Sequence, residues 1–297
     1  MIVRPQPGLV DILFHLRGSV VPRIWKRLAF MMMVSVIAVA LMDHGMASGA
    51  HLAAAPFAVI GLALSIFMSF RNNACYDRWW EGRKQWGQLI ISSRAFARQI
   101  ATIDPAQREV LALGVIGFTK GLAAKLRGLD EEQAIAPFVP DLAPGTPNPT
   151  DAALRSVGIA AARLMREGAI EPMHYSVLET QLAALSGVQG ACERIKATPL
   201  PYAFTLLLHR TAYGFCLLLP FALVSALGWW TPLPVLLVSY AFFGLDSLGD
   251  EMEDPFGTET NDLPLDAMAR TVEREMLAML GHTDLPPALL PQDDLLL

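Results

Sequence analysis

Cysteine is scarce and unpaired in this chain: Cys75, Cys192 and Cys216 stand far apart. An odd, scattered set argues against a disulfide framework, and no two of the three have the spacing of metal ligands, so free buried or helix-facing thiols are expected. Charge is scarce as well. Only 17% of residues are Asp, Glu, Lys or Arg, against about 25% in soluble domains. The formal net charge is −5, and no run of Lys and Arg resembles a basic arm, which argues against a nucleic-acid partner. Catalytic signatures are missing too: there is no GxSxG, P-loop, GxGxxG after a strand, or HExxH. His44 and His51 flank a short turn, while His174 and His209 lie singly in helical stretches. Each reads as a surface or packing histidine, so neither a catalytic site nor a cofactor is expected.

What fills the space is apolar sequence. Hydrophobic residues make up 53% of the chain and the mean hydropathy is +0.39, values that point to a membrane protein. The amino terminus does not read as a cleavable signal, because Arg4 and Arg17 interrupt it and the first long apolar run starts only at Leu28. Four spans are predicted, at about 28–42, 52–70, 206–227 and 234–248. The first has only 15 uncharged residues, a shortness that Trp25, Lys26 and Arg27 can offset by snorkelling. Between Thr211 and Leu245 no charge occurs, and Gly228-Trp229-Trp230-Thr231-Pro232 divides that run in two. Basic residues flank both hairpins on their outer sides and are absent from their tips. The positive-inside rule then puts both termini on the cytoplasmic side.

The segments between these spans are helical in pattern, with no alternating strand signal, so the fold class is all-α. Four regions are expected: 1–84 with the first hairpin, a cytoplasmic helical region over 85–205, the second hairpin over 206–248, and an acidic cytoplasmic segment over 249–297. Helices are predicted from Pro105 to Arg127, from Asp151 to Glu167 with Thr150 as its cap, and from Glu171 to about Lys196. Asp11–Arg17 reads as a short surface helix, and residues 284–297 as a loosely held tail.

The chain is organised around residues 52–87. The uncharged run Leu52–Phe70 spans about 28 Å as a helix, close to the roughly 30 Å of a hydrocarbon core. Leu62, Ile66 and Phe70 recur along it at i, i+4 and i+8, placing one bulky apolar side chain per turn on one face. By periodicity alone such a row is ordinary packing or lipid contact, and the following Trp79-Trp80 pair an interfacial anchor. The sequence FRNNACYDRWWEGRKQWG (70–87), however, resembles the signature of bacterial bestrophin-like membrane proteins, relatives of the eukaryotic bestrophin chloride channels. CERIKATPLP (192–201) and EDPFGTETNDLPLD (253–266) resemble the same family, in the same order.

The resemblance implies a ring-shaped homopentamer in the lipid bilayer, with the second span of each subunit lining a pore. On this chain the implied neck residues are Leu62, Ile66 and Phe70, whose rings gate by dewetting. Small Gly61, Ala63 and Ser65 would let neighbouring helices approach. Arg71, Asp77, Arg78, Glu81 and Arg83 are expected at the inner pore mouth or in helix-surface ion pairs. Eukaryotic relatives carry an acidic calcium clasp after Pro-Phe-Gly; here Pro255, Phe256 and Gly257 match, but only Glu259 and Asp262 remain as charged ligands. Calcium prefers six to eight oxygens, so Glu259 and Asp262 are expected at most as a remnant of the calcium clasp, without calcium activation. The implied function is passage of monovalent ions; basic Arg71, Arg78 and Arg83 at the inner mouth and acidic residues at Asp43 and in 246–262 argue in opposite directions, with a slight lean to Na+ or K+. The alternatives are a chloride or other anion channel, a secondary transporter without the usual broken helices, and a non-conducting membrane scaffold or sensor.

Overall fold

The computed structural model describes residues 1–3, 8, 18–44 and 54–297. The predicted surface helix over 11–17 and most of the first hairpin tip, including His51, lie outside the described residues. Among those described, the regular elements are helices: α1 (Val21–Asp43), α2 (Ala54–Ile100), α3 (Pro105–Leu126), α4 (Glu131–Ile135), α5 (Pro149–Arg166), α6 (Pro172–Ala197), α7 (Tyr202–Leu227), α8 (Pro232–Glu253) and α9 (Leu265–Met279). One 3-10 turn, Gly228–Trp230, joins α7 to α8. The chain divides into two compact units. One holds 5–79 and 199–254; the other holds 1–4, 80–198 and 255–297.

In the first unit, α1, α7, α8 and the first part of α2 are each long and apolar enough to cross a membrane. The first of them is longer than the 15-residue run suggested, because Pro22 sits in its opening turn and the helix starts at Val21. The helices pack around Ile24, Met31, Leu64, Met68, Leu208, Phe215, Leu219 and Phe243. At one end, the Trp229 indole N–H donates to Asp43 Oδ2 at 3.3 Å, joining the turn before α8 to the end of α1.

The second unit is built on α3, whose Leu111, Val115, Ile116, Phe118 and Leu122 are all solvent-free. A helix apolar on every side must be covered on every side, and α4, α5, α6 and α9 supply the cover. Helix α5 starts before the predicted cap. Its N-cap is Asn148, whose side chain accepts from the Asp151 amide at 3.3 Å, while the Thr150 hydroxyl donates instead to Glu131 at 2.6 Å. Glu131 on α4 is the better acceptor because it is charged. The tail is held rather than loose: the Leu296 amide donates to the Met1 carbonyl, the Val3 amide to Asp294 O and the Ala267 amide to Leu297 O, each at 2.9 Å. Backbone pairing fixes it where its side chains alone would not.

Candidate functional site

Helix α2 presents two faces with opposite fates. Leu64, Met68, Arg71 and Cys75, spaced 4-3-4, are buried, which is the spacing of one helix stripe. Gly61 lies close to that stripe, where an added Cβ would come within 3.1 Å of the Phe215 ring. The other face carries Leu62, Ile66 and Phe70, which are 65%, 48% and 60% exposed in the single chain. Val59, Ile60 and Phe67 extend this bare apolar surface, and Phe67 meets Phe70 edge-on at 6.5 Å. So many large apolar side chains left open on one helix mark a surface that lipid or another protein covers.

One residue beyond Phe70, the Arg71 guanidinium is wholly buried. Its Nη1 donates to Asp246 Oδ1 at 3.2 Å and to the Asp246 carbonyl at 3.3 Å, and its Nη2 pairs with Asp250. Glu253 Oε2 stands 3.6 Å away. Asp246 is itself 1% exposed and collects two further partners, Arg27 of α1 at 3.3 Å and His209 Nδ1 of α7 at 2.8 Å. Arg23 of α1 pairs with Glu251 of α8 at 3.1 Å. All four long helices of this unit therefore meet at one charge cluster. Buried charges persist when each is paired and hydrogen-bonded.

Close packing makes the cluster tight. A Cβ on Gly249 would stand 2.7 Å from Asn72 Oδ1 and 2.9 Å from Arg71 Nη1, so only glycine lets α8 approach α2 there. Donor atoms of His209, Asp246 and Asp250 lie within 4.8 Å of one another. That spacing could suit a divalent ion, but both carboxylates already serve Arg71, whose buried positive charge opposes a second cation.

The remaining expected site residues scatter. Asp77 is exposed; Arg78 Nε donates to the Glu253 carbonyl at 3.1 Å. Glu81 pairs with Arg194 on α6, and Arg83 lies half-buried in the second unit. In the acidic turn, Asp262 is buried and its Oδ2 accepts from the Glu259 amide at 2.7 Å. A Cβ on Gly257 would fall 2.5 Å from that same oxygen. Asp262 thus closes the turn, and Glu259 is exposed. Two carboxylates, one already engaged by an amide, do not fit a calcium ion that takes six to eight oxygens.

The sequence profile of the Bacterial/Fungal Bestrophin protein family matches residues 1–278. The chain belongs to the bestrophin family. Among its relatives is a voltage-dependent anion channel-forming protein of Mesorhizobium japonicum, 42% identical and covering 99% of this chain and 96% of that one. A protein of the same description from Salmonella typhi is 39% identical, with 98% of each chain covered. A crystallised bacterial bestrophin homologue from Klebsiella pneumoniae superposes with a TM-score of 0.84 at 37% identity, covering 88% of this chain and 100% of that one. The all-helical fold with four long apolar helices is thus a bestrophin fold.

Sequence reasoning missed the charge cluster of this bestrophin chain. It read His209 as a single surface or packing histidine and Asp246 and Asp250 only as members of the acidic stretch 246–262. The signal was nevertheless present. Ser239, Phe243, Asp246 and Asp250 repeat the 4-3-4 spacing of Leu64, Met68, Arg71 and Cys75, which puts an acid and a base each on the apolar stripe of its own helix.

Proposed function

We propose that this bestrophin-family protein is an ion channel of the bacterial inner membrane, formed by five copies around one axis. Each copy would contribute α2 to the pore, with Leu62, Ile66 and Phe70 as the neck and both termini on the cytoplasmic side. The observation that carries this reading is the bare apolar face of α2 in a chain whose family match spans nearly its whole length. Four helices packed on a shared apolar core are too few to enclose a wide aqueous path, so a pore calls for several chains. Rings of Leu, Ile and Phe then form a dewetting constriction.

Among monovalent ions, anions are the better reading. The relatives' names describe anion channel-forming proteins, and this outweighs the slight cation lean drawn from acidic residues. Several of those acids, Asp246, Asp250 and Glu251, are spent on Arg71, Arg27 and Arg23, so they lend the pore little negative field. Arg71 is equally spent. Selectivity is thus not set by a ring of free Arg71 side chains. The names are those of channels rather than enzymes, and they favour conduction over a silent scaffold.

Reversal potential in planar bilayers under a NaCl gradient tests the choice. A value near the chloride Nernst potential is expected; one near the sodium potential would restore the cation reading, and no current would favour the scaffold. Replacing Ile66 or Phe70 with Ala widens the neck and should raise conductance. Unchanged conductance in both variants would remove these residues from the neck.

A further inference from the structure

Phe70, the innermost of the neck residues named above, is followed directly by Arg71, and a rigid helix passes any shift of one to the other. The Arg71 side chain is fully buried and is gripped from α8 by Asp246 and Asp250. The grip sets the rotation and height of that turn of α2. His209 rests on the same two carboxylates: its Nδ1 is 2.8 Å from Asp246 and its Nε2 3.8 Å from Asp250 Oδ1. The imidazole is partly open to solvent, with 26% of its side chain exposed.

A neutral imidazole carries one N–H and can donate to only one of these carboxylates, whereas the protonated ring donates to both. Asp250, whose side chain is 42% exposed, is the partner free to move. A proton on His209 would let its Nε2, 3.8 Å from Asp250 Oδ1, compete with Arg71 Nη2 for that oxygen. The other charged or titratable groups here are Arg27 and Arg23 of α1, Cys75 and Arg78 of α2, Tyr213 of α7, and Glu251 and Glu253 of α8. Arg23 is paired with Glu251; Arg27 lies over the Tyr213 ring at 5.5 Å as well as beside Asp246; Glu253 Oε1 accepts from the Leu200 amide at 3.0 Å. His209 is the imidazole of this cluster, set against both carboxylates.

We propose that Arg71, gripped by Asp246 and Asp250, is the positioning residue of the pore neck, and that His209 makes the grip proton-sensitive by competing for the same carboxylates. The proposal rests on the reading of α2 as the pore helix. It assigns acidification the role of loosening the neck.

The test is planar-bilayer current of the purified full chain in symmetric NaCl. For the unaltered protein, current should rise about fivefold on going from about pH 8 to 5, the effect of a modest coupling. His209→Gln keeps a polar side chain at a partly exposed position and should give a flat profile. Arg71→Met should raise current at every pH, with Arg71→Lys partly restoring the low current at neutral pH. Should Arg71→Met fail to assemble, the His209→Gln profile decides alone. A flat profile in the unaltered protein, or an undiminished rise in His209→Gln, overturns this proposal while leaving the channel reading intact. Absence of current at every pH overturns the channel reading on which it rests.

Discussion

Arg71 carries a full charge where no solvent reaches it, and it is tolerated there because α8 brings Asp246 and Asp250 to it. Removing one member of such a set leaves buried charge short of a partner. Asp246→Ala should therefore destabilise the protein by about 3–5 kcal/mol, read as a lowered thermal midpoint in detergent. Replacing Arg71 and Asp246 together by apolar residues should cost less than the sum of the two single changes; strict additivity would show that the pair is not coupled. Gly249→Ala belongs with these, since its Cβ has no room beside Asn72 and Arg71. Its expected loss is about 1–3 kcal/mol, typical of overpacking.

At the scale of the element, α2 changes employment along its length without a break. It supplies the bare apolar face in one unit and buried Trp86, Leu89 and Phe96 in the other. Elsewhere, polar side chains fix where helices begin. Asn148 caps α5 and also accepts from Lys125 Nζ at 2.9 Å, and Lys125 reaches Glu193 on α6 at 2.9 Å. Asn148→Ala should cost about 1 kcal/mol or more for the lost cap. Burial pushes the Glu193 carboxyl up, but hydrogen bonds from Gln189 and Lys125 outweigh it and hold the group below its ordinary 4.5. The unfolded chain then binds this proton more readily than the folded one. The resulting stability is present above pH 4.5 and is lost as pH falls through the lower folded value. Glu193→Gln should flatten that part of the acid limb in pH-dependent unfolding; an unchanged limb would remove Glu193 from the account. Beside it, burial, reinforced by the charges of Glu193 and Glu81, pushes the Cys192 thiol up to about 12, so maleimide should label it at neutral pH only after unfolding.

For the whole molecule the decisive quantity is copy number. A single chain leaves Val59, Leu62, Ile66 and Phe70 uncovered, and the channel reading needs them to face a shared axis. Light scattering of the detergent-solubilised protein should give five times the 32.4 kDa chain mass after subtraction of detergent. A monomer or dimer would leave no central path and would return the α2 face to lipid contact.

Features that depend on local order were legible in the chain before any packing: four apolar runs, their hairpin tips free of Lys and Arg, the all-helical class and the three family stretches. Each follows from composition or from periods of a few residues, which no partner needs to complete. Helical spacing alone also put Leu62, Ile66 and Phe70 on one face. What meets what was settled by packing. Arg71 lies 175 residues from Asp246 along the chain, and His209 lies 37 from the same carboxylate, so no local pattern joins them. Thr150 lost the cap of α5 to Asn148 because distant Glu131 claimed its hydroxyl. The tail was held by backbone pairing with residues 1–3. Charge, burial and hydrogen bonding act through space, and their outcome appears only once packing has chosen the neighbours.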